Sequence, residues 1–339
     1  KIRITSQNEI GIAGANYGTD GQVLTSGGAG AAVAWEDAGG VSVISGLTDV
    51  TMDATNFADS ILIQTNSDGS APTTGTLSSA SDNVGIGNGV FTALTSGTDN
   101  VGIGRNALLD LTSASHNIAL GMKAGQNVTT GIRNVNIAQY AGNGIVDGQY
   151  NVNMGYAAGY AITSGDYNIC LGYNSGRSDS PSGNITTADQ QICLGSDAIT
   201  DLFCADTSIS SSDERDKTDI ENFTTGLEWV EQMQPVTYRW DYRSRYLENE
   251  DDDLNSVTPD GSRKSNKKHI GFVAQAVETI EQQFGYANSR DDMLIINLTS
   301  DGKRYGLKYE RLVPILVNAI KELSTEVNTL KTKVTVLEG

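Results

Sequence analysis

The sequence predicts a two-part chain. The first part is mainly β and contains a parallel solenoid of 17-residue repeats, and the second is an α+β domain that ends in a coiled-coil helix. Three observations carry this prediction: an asparagine recurs every 17 residues, composition changes abruptly at Ser212, and the C-terminus follows a heptad pattern. We place a β-rich segment at 1–80, the repeats at 81–205, the α+β domain at 206–308 and the helix at 309–339.

Composition separates the two parts. Of the 38 glycines, 31 precede Ser212 and 7 follow it. Charged residues fill 24 of the first 211 positions (6 basic, 18 acidic) but 40 of the last 128 (17 basic, 23 acidic). Both parts are therefore acidic, and the chain carries a net charge of −18. We expect no nucleic-acid partner, and the absence of a long apolar run predicts no membrane insertion.

Residues 1–80 have the pattern of short strands separated by turns. Residues 39–40 and 68–69 are glycine turn signals, and 47–50 and 60–63 have strand-like sequence. The stretch 18–26, followed by Val-Ala-Trp at 33–35, resembles the shafts of phage tail fibres. The first residue is not Met and no signal peptide is apparent, so we expect a piece of a longer chain.

The repeat asparagines lie in register at intervals of 17 residues: Asn83, Asn100, Asn117, Asn134, Asn151 and Asn168. Each precedes an apolar, a variable and a second apolar residue, as in Val84-Gly85-Ile86. The two apolar side chains of such a triplet share one face of a strand. We expect that face to point into a core built by stacked copies, each a coil of two short strands and two turns. The asparagines should form a ladder that satisfies backbone groups.

Small residues recur at two further positions of the repeat. Seven residues after the asparagines stand Ala107, Ala124, Ala141, Ala158 and Ser175, and fourteen after them Gly97, Ala114, Gly131, Gly148 and Gly165. The Asn-Val-x-Ile-Gly rhythm resembles the left-handed parallel β-roll in the heads of trimeric autotransporter adhesins, although the period here is longer. Because Gly85–Gly89 recurs within the repeat, it is not a nucleotide-binding loop.

A seventh copy begins at Gln191, 23 residues after Asn168, so a six-residue insertion lies within 177–190. We expect it to project as a loop that either contacts a receptor or serves only as a linker. Cys170 and Cys193 occupy the same place in successive copies and should be stacked, reduced neighbours.

No metal site or cofactor is predicted. The third cysteine, Cys204, is not part of a Cys-x-x-Cys pair, and the two histidines, His116 and His269, are isolated. The acidic run 251–253 is better explained as a solvated turn than as a calcium site.

After Ser212 the patterns alternate between helix and strand. We predict a helix over 224–234 that Pro235 stops, a strand over 236–242, a helix over 272–284 and a hairpin of 293–298 with 303–307. Residues 248–268 are charged and poor in apolar side chains, which predicts a solvated, mobile loop.

The helix from Leu312 carries a seam with alternating spacings of four and three: Leu316, Ile320, Leu323, Val327, Leu330, Val334 and Leu337. Such a seam pairs with copies of itself. β-Branched residues at a with Leu at d usually favour two strands. The resemblance of the repeats to the heads of trimeric adhesins implies three strands instead. Because the repeats and the helix must share one axis, we predict a parallel homotrimer.

Three motifs occur in order in the second part: Ser212-Asp213-x-Arg215-x-Lys217-x-x-Ile220, then His269–Val277, then Tyr305–Glu310 running into the helix. Together they resemble the intramolecular chaperone auto-processing domain of phage tail fibres and tailspikes, a Ser-Lys peptidase that cuts its own chain. The resemblance covers Ser212 to Gly339. It implies three chains aligned by this domain and then one cut per chain beside Ser212, on its N-terminal side.

The junction residues suit that chemistry. A serine hydroxyl needs a base to become a nucleophile, and lysine acts as a base only when burial or cationic neighbours keep it neutral. We assign Ser212 as the nucleophile, Lys217 as the base, and Arg215 to lowering the lysine pKa or holding the loop. Asp213 is a further supporting residue, although carboxylates close to the lysine would oppose its neutral form. The alternative is a solvated linker with a helix N-cap.

The resemblances imply a homotrimeric phage tail fibre, assembled in the host cytoplasm and carried on the virion. Its partners would be other tail proteins on the N-terminal side and a host receptor, a surface glycan or an outer-membrane component. The alternative is a bacterial trimeric surface adhesin without protease activity, which should carry a membrane anchor beyond the coil. A third reading, a glycan depolymerase, needs paired carboxylates in a cleft, and the repeats offer no obvious pair. We predict no multi-turnover enzyme in the fibre part.

Overall fold

The computed structural model describes residues 2–4, 10–12, 22–25, 34–37, 50–64, 71–199, 201–203, 212–248 and 253–339. The first four segments pair as two antiparallel hairpins, β1 (Ile2–Ile4) with β2 (Ile10–Ile12) and β3 (Gln22–Thr25) with β4 (Ala34–Asp37). The predicted turns at 39–40 and 68–69, the strand residues 47–49, Cys204, and residues 251–252 of the acidic run lie outside the described residues.

A ten-stranded sheet organises the first part. It begins with the antiparallel pair β5 (Val50–Ala54) and β6 (Phe57–Ile63), and the short β7 (Ala80–Ser81) joins β6. Seven parallel strands then follow in sequence order: β8 (Val84–Ile86), β9 (Val101–Ile103), β10 (Ile118–Leu120), β11 (Val135–Ile137), β12 (Val152–Met154), β13 (Ile169–Leu171) and β14 (Ile192–Leu194). Each repeat therefore stacks on its sequence neighbour.

The predicted asparagine ladder is confirmed. Asn134 is fully buried; its Nδ2 donates to Asn117 Oδ1 (3.1 Å) and to Gly148 O (2.8 Å). Its own Oδ1 accepts from the backbone N and the Nδ2 of Asn151, both at 3.0 Å. The same pattern links the other repeat asparagines, so each side chain ties its own turn to the next repeat.

The predicted inward face of the strands is wrong. The middle residue of each triplet points inward and is buried: Gly85, Gly102, Ala119, Asn136, Asn153, Cys170 and Cys193. The flanking apolar residues point outward; Ile103 is 39% exposed and Met154 42%. The period of a strand shows which residues share a face but not which face is buried. We call the outward Val/Ile/Leu/Met rows of β8–β14 the apolar stripe.

The second strand predicted for each coil does not form in the described repeats. Turns close the coil instead, and they stack through hydrogen bonds such as Thr95 N to Thr112 O (2.9 Å). They carry the apolar side chains that fill the interior, among them Leu94, Leu111 and Ile145. The small middle residues leave room for them: a Cβ on Gly102 would lie 2.9 Å from Val90 Cγ1.

The two cysteines are stacked neighbours, as predicted: Cys170 pairs in register with Cys193, both are buried, and neither forms a disulfide. Burial, followed by the neighbouring Cys193, raises the pKa of Cys170 to about 12. The Cys170 thiol therefore stays protonated at neutral pH. Asn136 and Asn153 also stack, with Asn153 Nδ2 donating to Asn136 Oδ1 at 2.9 Å.

The insertion does not project, which corrects the prediction. Arg177, Ser180, Gly183 and Ile185 are buried. The loop folds back over the last repeats, where Ile185 N donates to Gly176 O at 3.0 Å.

The second part is an α+β domain with seven named elements: α1 (Leu227–Gln232), β15 (Val236–Tyr238), β16 (His269–Gly271), α2 (Ala274–Gln283), β17 (Ile296–Leu298), β18 (Tyr305–Leu307) and α3 (Leu312–Glu338). The strands β15/β16 and β17/β18 form two antiparallel pairs. Its core centres on Trp229, which stacks on Phe284 at 4.7 Å. The described part of 248–268 is not simply a solvated loop, since Leu254 is 3% exposed.

The terminal helix α3 is the predicted one, with 27 residues. Ile315 and Ala319 are buried against the domain, whereas the whole heptad seam faces solvent, from Leu316 (45% exposed) to Leu337 (86%). No helix in the part of the chain that the structure describes combines the length and apolar character that crossing a bilayer requires.

Candidate functional site

The junction motif folds into one tight turn. Asp213 caps a single 3₁₀ turn, Glu214–Asp216, by accepting from Arg215 N at 2.9 Å. Lys217 N closes the turn by donating to Glu214 O at 3.1 Å. The turn reverses the chain direction and places Lys217 beside Ser212, so that Lys217 Nζ donates to Ser212 Oγ at 2.7 Å. The proposed nucleophile and the proposed base are therefore in direct hydrogen-bond contact.

Arg215 pairs with Asp213. The guanidinium holds the carboxylate through two parallel contacts, Nε to Oδ1 at 3.0 Å and Nη2 to Oδ2 at 2.6 Å. The hydrogen bonds from Arg215 lower the pKa of Asp213, and the carboxylate raises the pKa of Arg215. Of the two roles considered for Arg215, this geometry fits holding of the loop, because its charge is directed at Asp213.

The site is open to solvent in a single chain. Ser212, Arg215 and Lys217 are all exposed. A lysine becomes a general base when it loses its proton, and burial is one of the effects that favour the neutral amine. The described residues of one chain thus supply the contact between the two groups and leave both side chains exposed.

The terminal helix anchors the chain just beyond the site. Asn318 Nδ2 donates to Phe223 O at 2.7 Å, and Glu322 Oε2 accepts from Leu227 N at 2.7 Å, at the start of α1. Gly226 lies against the backbone of α3 with no room for a Cβ. The segment that leads out of the Ser212–Lys217 turn is therefore fixed by the helix that carries the heptad seam.

The second and third motifs pack against each other. His269–Gly271 forms β16, and the following helix α2 begins at Ala274. Tyr309 Oη, from the third motif, accepts from Phe272 N at 3.2 Å and occupies the space beside Gly271. A Cβ at this position would lie 2.5 Å from that hydroxyl, so a larger residue would require Tyr309 to shift.

The domain also binds the last repeat through hydrogen bonds and an ion pair. Asp197, 7% exposed, accepts from Ser244 Oγ at 2.6 Å and pairs with Arg304 Nη2 at 3.0 Å. The same nitrogen of Arg304 donates to Ser178 O in the insertion at 2.7 Å. These groups lie at the edge of a cleft of about 570 Å³ between the last repeat and the domain.

Sequence reasoning missed three of the residues that hold this part together: Asp197, Arg304 and Glu281. Glu281 is fully buried in α2, and its carboxylate accepts from the backbone N of Leu294 (3.1 Å) and of Ile295 (2.6 Å). Its partners lie 13 and 14 residues away, and those of Arg304 more than 100. In the sequence, Glu281 is simply an acidic residue in an amphipathic helix pattern, and this pattern does not indicate that its side chain binds distant backbone groups.

Comparison with known families identifies the character of the second part. The model of the family described as chaperone of endosialidase, a peptidase family, matches residues 212–286. The match begins at Ser212 and includes the junction turn, α1, β15, β16 and α2. No curated protein matches the chain. The second part is therefore similar to a self-cleaving, serine-peptidase type of intramolecular chaperone domain, as found in phage-associated proteins.

Proposed function

We propose that the chain is a homotrimeric phage tail fibre, or receptor-binding appendage, whose C-terminal domain drives trimer folding and then releases itself by one cut per chain. Ser212 is the nucleophile and Lys217 the general base, and the bond cut is the one on the N-terminal side of Ser212. The part before the cut forms a parallel β-roll that presents the fibre to a receptor on the host surface. The released domain carries the coiled coil.

The contact between Lys217 Nζ and Ser212 Oγ carries this proposal. At 2.7 Å the amine is placed to accept the hydroxyl proton once it is neutral, as nucleophile activation requires. The family match that starts at Ser212 supports the same assignment.

Two apolar surfaces that the described part of the chain leaves uncovered support a homotrimer. The heptad seam of α3 and the apolar stripe of β8–β14 are both exposed in one chain. Exposed apolar surfaces of this extent are typical of interfaces, and a heptad seam selects copies of itself as partners. A trimer would bury both surfaces along one axis.

Assembly would also activate the site. The Ser212–Lys217 turn is exposed in one chain, and α3 fixes the segment beyond it through Asn318 and Glu322. When three helices associate, the three junctions are brought together, and neighbouring chains can enclose the turn and keep Lys217 neutral. Cleavage would then follow trimerisation rather than precede it.

The contacts of Ser244 and Arg304 with Asp197 in the last repeat are consistent with a chaperone role for the domain. Stacked parallel repeats form through non-local contacts, which are slow to nucleate and expose strand edges. A domain that holds the last repeat while a local coiled coil joins three chains raises the effective concentration of the repeats. After release the assembled trimer is kinetically trapped.

A denaturing gel of freshly expressed protein tests the proposal. The native sequence should give two fragments, whereas Ser212→Ala and Lys217→Ala should leave one chain of 35.9 kDa. Ser211→Ala is the matched control and should still be cut. Cleavage of Ser212→Ala at the same bond would contradict the assignment of the nucleophile.

A further inference from the structure

Two columns of side chains border the apolar stripe in the five repeats that begin at Asn100, Asn117, Asn134, Asn151 and Asn168. The first is formed by the residue that precedes each of these asparagines, which we call the leading column: Asp99, His116, Arg133, Tyr150 and Tyr167, all exposed. The second is formed two positions after the last stripe residue, which we call the trailing column: Arg105, Met122, Gln139, Tyr156 and Tyr173, of which Met122 and Gln139 are half-buried. Both columns begin with a charged residue and end with two tyrosines, which the proposed function does not explain.

Each column is ordered within one chain. In the leading column Tyr150 and Tyr167 stack at 4.7 Å with their rings 4° from parallel. In the trailing column Tyr156 and Tyr173 stack at 5.5 Å with an angle of 12°. All four rings are between 38% and 60% exposed. The tyrosines therefore form two pre-arranged aromatic surfaces at the same two levels of the stack.

The two columns lie on opposite sides of the strand within a chain. Members of the same level, such as Asp99 and Arg105, are six positions apart in the sequence, with the strand Val101–Ile103 between them. An extended segment of that length spans at most about 20 Å, and the outward strand side chains between them belong to the apolar stripe. A second copy that covers the stripe could therefore bring the two columns together.

We propose that the leading column of one chain packs against the trailing column of the next chain at the same repeat level. This inference rests on the proposed homotrimer. If three apolar stripes face a common axis, the strand faces form a triangle. At each corner the leading edge of one face meets the trailing edge of its neighbour, and rotational symmetry keeps both at one height.

The chemistry of the two columns matches at each level. Asp99 faces Arg105, Tyr150 faces Tyr156, and Tyr167 faces Tyr173. The other two levels join His116 with Met122 and Arg133 with Gln139, so none of the five brings together like charges. Opposite charges and edge-contacting aromatic rings are the pairs that stabilise interfaces and fix their register.

At the charged level, neither Asp99 nor Arg105 pairs with a permanently charged group among the described residues. Asp99 Oδ2 accepts from Thr98 Oγ1 at 2.9 Å. Arg105 Nη2 donates to Met122 Sδ, a weak acceptor, at 2.8 Å. Asp99 Oδ2 lies 3.6 Å from His116 Nδ1, a contact that is ionic only when the histidine is protonated. A neighbouring chain would give both groups a strong partner, three times per trimer.

Disulfide trapping tests the register. Tyr150→Cys combined with Tyr156→Cys places one thiol on each side of every corner, and mild oxidation should link three chains into a covalent trimer on a non-reducing gel. The matched control, Tyr167→Cys with Gln139→Cys, places the thiols two repeats apart, or about 9.5 Å along the axis. That offset exceeds the reach of a disulfide. Native protein oxidised in the same way gives the baseline for Cys170, Cys193 and Cys204.

The outcomes separate this proposal from the proposed trimer. A covalent trimer from the matched pair alone supports the corner contact. No cross-link in a protein that sediments as a trimer overturns the corner contact and leaves the trimer intact, whereas a monomer overturns both. Equal cross-linking of matched and control pairs overturns the fixed register.

A charge exchange gives a second measurement without cysteines. Asp99→Arg would place two arginines at each corner and should raise the concentration at which half of the trimer dissociates by about tenfold or more. Adding Arg105→Asp should restore the original value, because the pair is only reversed. If the double variant folds normally, as its circular dichroism spectrum would show, but its trimer still dissociates at the higher concentration, the pairing is contradicted.

Discussion

At the scale of single residues, the repeat asparagine supplies a set of hydrogen bonds that few side chains can make. The Asn134 side chain donates to the turn carbonyl of Gly148 and to the side chain of Asn117 in the previous repeat, and it accepts from the side chain of Asn151 in the next repeat. Both its donor and its acceptor are used, and it is fully buried. An amide is the neutral side chain that carries both functions on one planar group.

We expect Asn134→Ala to lower the free energy of unfolding by at least about 2 kcal/mol, because it leaves buried backbone and side-chain groups without partners. Chemical denaturation followed by circular dichroism measures the loss. Asn127→Ala is the control; Asn127 is half-buried beside the same stack, and its side chain has no hydrogen bond among the described residues. Equal stability of the two variants would show that the ladder contributes little.

The junction could be predicted from the sequence at this scale because its geometry is local. Lys217 lies five positions after Ser212, and one turn capped by Asp213 brings the two side chains together. The role of Arg215 could not be decided in advance, since it depends on the direction in which its side chain turns. Glu281 and Arg304 could not be predicted either, because their partners are distant in sequence.

At the scale of elements, the repeat period predicted the register of every strand from β8 to β14. The ladder at each turn followed from the same regularity. The orientation of the strands did not, because the middle positions hold Gly, Ala, Asn and Cys, a set that resembles variable surface positions. These residues are buried because the turns, rather than a second sheet, bring the larger apolar groups inward.

The observed orientation of the strands predicts the effect of Val135→Asp. Val135 is half-buried on the outward stripe, so a single chain can expose the new carboxylate to water. In the proposed trimer three carboxylates would be buried near the axis without partners, which is costly. We expect a monomer with an unchanged far-ultraviolet spectrum, as measured by light scattering and circular dichroism.

Val146→Asp is the control for this variant, because Val146 is 42% exposed and lies outside the stripe. It should remain trimeric. If Val135→Asp were also trimeric, the stripe could not be the interface between the chains.

At the scale of the whole molecule, the terminal helix α3 holds the chain close to the Ser212–Lys217 turn. The helix holds residues 223–227 through Asn318 and Glu322, and the turn ends six residues earlier, at Lys217. The same domain grips the last repeat through Arg304 and Asp197. The domain therefore links the helix that carries the seam, the segment after the turn and the end of the repeat stack. In the proposed trimer, assembly of the helices would affect cleavage at the turn through these contacts.

This connection predicts that Leu323→Asp blocks cleavage from a distance. Leu323 is 45% exposed on the seam, so the substitution leaves the fold of one chain intact but puts three like charges into a helix interface. The variant should be monomeric and should keep its full length on a denaturing gel, although Ser212 and Lys217 are unchanged. Val336→Asp, an equivalent change at a position outside the seam that is 75% exposed, should be trimeric and cut. A monomeric Leu323→Asp chain that is cut at the normal rate would mean that the turn is complete within one chain, and that enclosure by neighbouring chains plays no part in neutralising Lys217.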